Sequence, residues 1–196
     1  MKKILFYYNN LQFSDFVRKV ISFILCMFNI LQIRRIKSFY FFKTSQIKLG
    51  HNIKIKGFPV HISVGKHTII YDNCMFEIDS GAILKIGTNV ILSYGVIVCC
   101  KLKIVIGNDV QIGEYTSIRD STHTYSDLSK PMKYAKDKLA EIVIGDDVWI
   151  GRGSIIMPGT IIEDGVVIGA NSVVKGVLKK NGIYAGIPVK FIKDRT

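Results

Sequence analysis

The chain has 196 residues, 48% of them hydrophobic, and a formal net charge of +12. This length and apolar content predict one domain with a buried core, or one domain with an appendage. Cys26, Cys74, Cys99 and Cys100 lack the CxxC spacing of metal sites, so they are interpreted as free thiols of a reducing cytosol.

The positive charge is concentrated at the N-terminus. Residues 1–60 contain eleven Lys or Arg residues and one acidic residue, whereas the rest of the chain is nearly neutral. Basic residues flank an apolar stretch, Val20–Ile33, which as a helix would rise about 21 Å and is too short for a bilayer core of about 30 Å. Asp15 and other polar residues separate Lys2 and Lys3 from this stretch, which argues against a secretory signal.

Residues 1–45 are predicted to form a basic, apolar helical segment. Apolar residues recur there at helical spacing, namely Phe16, Val20, Phe23, Ile24, Met27, Ile30 and Leu31. Two interpretations remain open: the helix closes the end of the domain that follows, or it binds the anionic inner face of a bacterial plasma membrane. Nucleic acid is not predicted as a partner, because no known binding motif is present and the basic residues surround an apolar face.

A six-residue repeat occupies much of the remaining chain. Every sixth residue is aliphatic in one uninterrupted run, namely Ile144, Ile150, Ile156, Ile162, Ile168 and Val174. The same spacing occurs upstream in Ile86, Leu92, Val98 and Ile104 and, after a slip of two, in Ile106, Ile112 and Ile118. A period of six suits a short strand followed by a turn, so residues 46–178 are predicted to form an all-β domain, a parallel β-helix, followed by a C-terminal tail over 179–196. The glycines that follow three of these residues, Gly145, Gly151 and Gly169, are interpreted as turn positions.

One insertion interrupts the repeat. Ile118 and Ile144 are 26 residues apart, which is one repeat plus 20 residues. The segment 119–143 is polar, contains Pro131 and has no period, so it is predicted to be an unstructured excursion loop. Long insertions in compact domains are usually functional or disordered, and this one contains a histidine, His123.

The run IGDDVWIGRGSIIMPGTIIEDGVVIGANSVV, followed by YAGIPVKFIKDR, resembles the left-handed parallel β-helix acyltransferases with hexapeptide repeats. The combination of VWIG, PG, VIGA and AG-x-P-x-K is most similar to the galactoside, maltose and xenobiotic O-acetyltransferase branch, which includes bacterial surface-polysaccharide O-acetyltransferases. The close match covers the C-terminal 55 residues, and the looser repeat extends further upstream. Left-handed coiling is implied by the resemblance alone.

The resemblance implies an acetyl-CoA-dependent sugar O-acetyltransferase that forms a homotrimer with active sites between subunits. The histidine of the excursion loop, here His123, would be the general base, and Trp149 would lie close to the thioester. A positioned imidazole can take the proton of a hydroxyl as its oxygen attacks the thioester, so that acetyl passes directly to the acceptor. Asp120 is the candidate for orienting His123, and the alternative is that it faces solvent.

Six residues match or replace the coenzyme contacts of this family, namely Gly151, Arg152, Ala170, Lys175, Lys190 and Lys193. The backbone at Gly151 and Ala170 would line the pantetheine groove. The two lysines of the tail would lie near the phosphates of CoA. Arg152 departs from the pattern by replacing a small residue, and it would add a phosphate contact or narrow the groove.

Lys175 begins Lys-Gly-Val, where the family has Thr-Lys-Asp, and it would substitute for one coenzyme contact. No metal is expected, because a zinc enzyme of this fold needs three converging histidines and the excursion offers only His123.

Two alternative functions remain open: N-acetyl transfer to a nucleotide-linked amino sugar, and a non-enzymatic β-helix scaffold. The first usually requires an N-terminal sugar-nucleotide-binding domain, for which 60 residues are too few. The second is disfavoured because His123 accompanies an acetyl-CoA motif. We expect the acceptor to be a surface glycan or its lipid-linked precursor, and the protein to be cytoplasmic or peripheral on the inner face of the plasma membrane.

Overall fold

The computed structural model describes residues 46–57, 61–129 and 131–196. The predicted N-terminal helical segment, residues 1–45, lies outside these ranges, so both interpretations of it remain predictions. Across the described ranges, no helix has the length and hydropathy needed to span a bilayer.

Short strands make up nearly all of the regular structure. The strands before the excursion are β1 (Lys48–Leu49), β2 (Lys54–Lys56), β3 (His61–Val64), β4 (Ile69–Ile70), β5 (Met75–Ile78), β6 (Ile83–Ile86), β7 (Ile91–Leu92), β8 (Ile97–Cys100), β9 (Lys103–Ile106), β10 (Gln111–Ile112) and β11 (Ser117–Arg119). The excursion contains β12 (Ser121–His123), a 3₁₀ turn (Met132–Tyr134) and β13 (Asp137–Leu139). The strands after it are β14 (Ile142–Ile144), β15 (Trp149–Ile150), β16 (Ile155–Ile156), β17 (Ile161–Ile162), β18 (Val167–Ile168), β19 (Val173–Val174), β20 (Val177–Leu178), β21 (Gly182–Ala185) and β22 (Lys190–Asp194).

The strands form three parallel sheets that the chain visits in turn. Sheet A has the order β1-β4-β7-β10-β15-β18-β21, sheet B the order β2-β5-β8-β11-β16-β19, and sheet C the order β3-β6-β9-β14-β17-β20. The chain therefore completes six coils and begins a seventh with β21. This arrangement is a parallel β-helix, and the predicted fold class is confirmed.

The core of the β-helix is the stack of aliphatic residues that the period of six predicts. Ile150 pairs with Ile112 on one side and Ile168 on the other, and all three are buried. Residues four positions after the aliphatic ones are buried as well, and some of these carry hydroxyls, as Ser154 and Thr160 do. Each hydroxyl donates to a carbonyl three residues earlier, so no hydrogen-bonding group of these side chains is left without a partner in the core.

The glycines that follow Ile144, Ile150 and Ile168 were predicted to be turn positions, but the structure gives a different reason for glycine there. A Cβ on Gly151 would lie 2.5 Å from the backbone nitrogen of Ala170, so glycine is required by the close approach of successive coils. The left-handed backbone occurs elsewhere, for example at Gly153 and Gly165, with φ of 67° and 69°.

The β-helix continues beyond residue 178, where the C-terminal tail was predicted to begin. β21 pairs in parallel with β18, and β22 folds back antiparallel along β21. The interior spacing shortens to four residues between Val174 and Leu178 and then returns to six at Tyr184, which is buried. Because of this change in spacing, the period of six does not predict the last parallel strand.

The described part of the excursion contains regular structure rather than the unstructured loop that was predicted. β12 and β13 pair antiparallel, with Ser121 opposite Leu139 and His123 opposite Asp137. The base of this hairpin is closed by the N–H of Ala140, which donates to the carbonyl of Asp120 over 2.9 Å. The hairpin therefore holds His123 at a fixed distance from the β-helix.

Candidate active site

The hairpin emerges from the edge of the β-helix where sheet B passes into sheet C. It leaves after β11, a strand of sheet B, and returns into β14, a strand of sheet C. All other connections from sheet B to sheet C lie along the same edge, called the B–C edge below. His123 thus stands above the middle coils of this edge.

Two cavities flank the hairpin on the B–C edge, and His123 lines both. The C-terminal cavity has a volume of about 520 Å³. It is lined by Thr122, His123, Thr124, Tyr125, Ser126, Lys138, Ala140, Met157, Pro158, Gly159, Lys175 and Gly176. The N-terminal cavity has a volume of about 430 Å³ and is lined by Glu77, Lys101, Arg119, Ser121, Thr122, His123 and Asp137.

His123 is held by a carboxylate from the opposite strand of the hairpin. Its Nδ1 lies 2.8 Å from Oδ1 of Asp137, and Nζ of Lys101 donates to Oδ2 of Asp137 over 2.6 Å. A carboxylate at this distance favours the tautomer with its proton on Nδ1, which leaves Nε2 free to accept a proton. The side chain of His123 is 73% exposed, so a substrate can reach it.

Asp137, Lys101 and His123 influence one another's charge states. The hydrogen bond from Lys101, assisted by the charge of the same lysine and by His123, lowers the pKa of Asp137. Asp137 in turn raises the pKa of Lys101. Both residues therefore remain charged at neutral pH, and Asp137 can stabilise a protonated His123.

Asp120 does not orient His123, and it does not face solvent. It is fully buried, and its carboxylate accepts the backbone N–H groups of residues 101, 102 and 103, each over 2.8 Å. These donors form the tight connection between β8 and β9. Both expectations for Asp120 are corrected: it is a structural acceptor for this turn, and the carboxylate beside His123 is Asp137.

Asp137 and Lys101 were missed in the sequence. Asp137 follows His123 by 14 residues, and Lys101 lies in another coil. The antiparallel pairing of β12 with β13 brings Asp137 to His123, and the connection between β8 and β9 places Lys101 beside Asp137. A loop assumed to be unstructured gave no reason to expect either approach. The polar residues of 121–124 opposite those of 136–139 were the available signal.

The other predicted site residues lie elsewhere in the chain. Lys175 lines the C-terminal cavity with His123, whereas the cavities described above contain none of the remaining ones. Sheet A and the connections leaving it carry Trp149, Gly151, Arg152 and Ala170. Lys190 and Lys193 lie on β22, which pairs with the last strand of that sheet. Trp149 is 56% exposed on the outer face of this sheet. One chain therefore presents the predicted residues in two separate groups.

The C-terminal cavity has the character needed for the arm of a coenzyme A thioester. Ala140, Met157 and Pro158 provide apolar walls, and Lys175 provides a positive charge. A Cβ on Gly176 would meet no atom within 4 Å, so the backbone there is open to a ligand. These features fit a ligand that combines an apolar, amide-containing chain with phosphates.

The cysteines of the described ranges do not provide a nucleophile. Cys74, Cys99 and Cys100 are free and buried, as the sequence suggested for their redox state. Burial raises the pKa of Cys74 to about 11 and that of Cys100 to about 12, so both thiols stay protonated at neutral pH. Among the same residues, no three His, Cys, Asp or Glu side chains are grouped so that they could hold a metal ion.

Comparison with known proteins identifies the family. Residues 141–176 match the family model described as bacterial transferase hexapeptide (six repeats). An Escherichia coli dTDP-4-amino-4,6-dideoxy-D-glucose acyltransferase is 32% identical over 158 residues, which cover 76% of this chain and 82% of the relative. The chain belongs to the hexapeptide-repeat transferase family.

Other members of this family resemble the chain over shorter stretches or at the level of the fold. A putative lipopolysaccharide biosynthesis O-acetyl transferase, WbbJ of Escherichia coli, is 39% identical over 97 residues, or 46% of this chain and 50% of that protein. The chain spans about half the length of this relative and of a second curated relative. The crystal structure of a variant of AntD, an N-acyltransferase from Bacillus cereus in complex with dTDP-4-amino-4,6-dideoxyglucose and coenzyme A, superposes with a TM-score of 0.66 at 26% identity, covering 83% of this chain and 88% of AntD.

These relatives correct one argument from the sequence. The 60 N-terminal residues were interpreted as too few for the domain that transfer to a nucleotide-linked amino sugar usually requires, although that function remained open. However, the dTDP-amino-sugar acyltransferase and AntD match this chain over most of their own length. The length of the N-terminal segment therefore does not separate hexapeptide-repeat transferases that acylate amines from those that acylate hydroxyls.

Proposed function

We propose that the protein transfers an acetyl group from acetyl-CoA to a sugar hydroxyl of a cell-surface glycan or its lipid-linked precursor. The observation that carries this proposal is the position of His123, held by Asp137 between a partly apolar cavity and a polar one. The likeness to an O-acetyl transferase of lipopolysaccharide biosynthesis supports a hydroxyl acceptor. The excess of basic residues in 1–60 supports action at the cytoplasmic face of the plasma membrane.

The C-terminal cavity is the proposed site of the coenzyme. Met157, Pro158 and the open backbone of Gly176 would contact the pantetheine arm, and Lys175 would pair with a phosphate. When bound, acetyl-CoA supplies an electrophilic thioester carbonyl. The role of the residues around it is to hold that carbonyl next to His123.

The N-terminal cavity is the proposed site of the acceptor. A sugar hydroxyl there would donate to Nε2 of His123, which takes its proton as the oxygen becomes nucleophilic. Asp137 stabilises the resulting imidazolium, and Lys101 keeps Asp137 ionised. The chain holds the proton on His123 until the thiolate leaving group accepts it, and no acyl-enzyme is needed.

A homotrimer would unite the two groups of predicted residues. Trp149 and the cofactor positions Gly151, Arg152 and Ala170 lie on and after sheet A, away from the B–C edge that bears His123. In a ring of three chains, sheet A of one subunit can face the B–C edge of the next. We propose that Trp149 of one subunit lies close to His123 of the neighbouring subunit, so that both residues belong to one active site.

Mixed trimers test this arrangement. His123→Ala and Trp149→Ala are each expected to lower activity alone. When the two are refolded or co-expressed together in equal amounts, about a quarter of the intersubunit sites combine an intact histidine with an intact tryptophan, so activity should return to about a quarter of the wild-type value. The readout is thiol release from acetyl-CoA. Mixtures no more active than the separate variants would show that both residues act within one chain.

Transfer to an amine is the second candidate function, and the relatives that act on dTDP-linked amino sugars favour it. The test is to incubate the protein with acetyl-CoA and either a hydroxyl acceptor or a dTDP-linked amino sugar, followed by mass spectrometry. O-acetylation gives an ester that mild base removes, whereas N-acetylation gives an amide that survives. Comparing the surface glycans of strains with and without this protein identifies the natural product. Amide formation with no ester on any hydroxyl acceptor would replace the first proposal by the second.

A further inference from the structure

The N-terminal cavity is lined entirely by polar side chains. Four of the seven carry a formal charge at neutral pH, namely Glu77, Lys101, Arg119 and Asp137. This differs from the C-terminal cavity, whose walls include apolar residues. A ligand of the N-terminal cavity must therefore satisfy hydrogen-bonding groups and charges rather than bury apolar surface.

All but one of these charges have a partner of opposite sign in the described ranges. Lys101 and Asp137 form an ion pair over 2.6 Å, and Glu77 faces Lys56 over 3.9 Å. The guanidinium of Arg119 makes no hydrogen bond or ion pair with any residue in those ranges. Arg119 is thus the uncompensated charge of the cavity.

Arg119 and Glu77 lie in register on sheet B with one strand between them. Arg119 is the Cα partner of Cys99, and Cys99 is the Cα partner of Glu77. Arg119 and Glu77 are therefore two strands apart, about 9.6 Å between Cα atoms. The buried Cys99 lies between them, with its Sγ 3.9 Å from Oε2 of Glu77.

The position of Arg119 is also fixed relative to the reacting group. It is the last residue of β11, and the carboxylate of the next residue, Asp120, is held by three backbone N–H groups. Four residues further along, His123 lines the same cavity. A group bound by the guanidinium therefore lies in the same cavity as the imidazole.

We propose that Arg119 selects an acceptor that carries an anionic group, a carboxylate or a phosphate, near the atom that receives the acetyl group. The guanidinium offers a rigid fork of donors that matches either anion in a bidentate way. The inference depends on the proposed function in one respect, because it takes the N-terminal cavity to be the acceptor site. It assigns Arg119 to specificity and not to the chemical step.

Matched sugars that differ in charge test the proposal. The probes are methyl β-D-glucoside, methyl β-D-glucuronide and glucose 1-phosphate, and their binding to the full-length protein is measured by calorimetry in the presence of coenzyme A. At least one anionic sugar should bind about 10–100-fold more tightly than the neutral glucoside, as expected for a hydrogen-bonded charge pair. Preference for the glucuronide or for the phosphate identifies the source of the anion.

Three variants test whether Arg119 causes the preference for anionic sugars. Arg119→Ala should abolish the preference, and Arg119→Lys should retain part of it, because lysine keeps the charge but not the fork. Lys85→Ala removes a positive charge from the exposed face of β6, outside both cavities, and should leave the preference unchanged. Equal binding of all three sugars by the wild-type protein, absence of binding by all three, or a preference that persists in Arg119→Ala would overturn the proposal.

The binding measurement separates this inference from the proposed function. A charge preference that depends on Arg119, in a protein that transfers no acetyl group to any hydroxyl, would support the inference and reject O-acetylation. Acetyl transfer to a neutral sugar that is as efficient as transfer to an anionic one would leave the function intact and reject the role of Arg119.

Discussion

Replacing His123 with alanine is expected to lower kcat for acetyl transfer by about 10²–10⁴-fold, the usual cost of removing a positioned general base. The reason is that Nε2 of His123 is the proposed proton acceptor between the two cavities, with Nδ1 engaged by Asp137. The measurement is steady-state turnover of acetyl-CoA with the natural acceptor at saturation. The affinity for acetyl-CoA should change little, since the C-terminal cavity has eleven other lining residues.

Lys175→Ala is the matched comparison. Lys175 lines the same cavity but lies in the connection after β19, so it should affect coenzyme binding rather than proton transfer. Its KM for acetyl-CoA should rise while kcat at saturation stays near that of the wild type. If His123→Ala instead keeps wild-type kcat, the base lies elsewhere and the central claim about this site is wrong.

The fold was predictable because its core depends on a local pattern. Each coil buries the same few positions, so a period of six in Ile150, Ile156 and Ile162 predicts the stacked strands of a parallel β-helix without any knowledge of long-range contacts. The prediction ended too early at residue 178 because the slip of four before Leu178 breaks that pattern. Periodicity detects coils of constant length and misses a coil that is shorter.

The site was only partly predictable, because its geometry comes from pairings that leave no periodic trace. His123 was identified from its place in the insertion and from the family resemblance. Asp137 and Lys101 come together with it only through a hairpin and a turn between coils. Asp120 was predicted either to orient His123 or to face solvent, but its side chain points into the β8–β9 connection. Proximity along the chain is a poor guide where a strand alternates its faces.

Asp120→Ala is expected to lower the free energy of unfolding by about 1–3 kcal/mol, because a hydrogen bond to a charged group contributes about 1.5–3 kcal/mol to stability and water can replace part of what is lost at a part-buried donor. The carboxylate of Asp120 is fully buried and accepts from three part-buried donors, the backbone N–H groups of residues 101 to 103. The measurement is chemical denaturation of wild type and variant at the same chain concentration, since stability is linked to assembly in an oligomer. The free energy of unfolding of Asp120→Asn should lie between those of the wild type and Asp120→Ala, because an amide retains one acceptor oxygen.

Asp137→Asn is the control that separates the two carboxylates. Asp137 is partly exposed, and its ion pairs lie at the surface, where such pairs contribute about 0–1 kcal/mol to stability. Its loss should leave unfolding nearly unchanged and lower kcat about tenfold, the effect of losing about 1.4 kcal/mol of stabilisation of the imidazolium. Asp120→Ala should show the opposite pattern, with a larger effect on the free energy of unfolding than on kcat. If Asp120→Ala is as stable as the wild type, the three N–H groups find other acceptors and the turn does not depend on this side chain. If Asp137→Asn keeps full kcat, His123 does not need the carboxylate that lies 2.8 Å from its Nδ1.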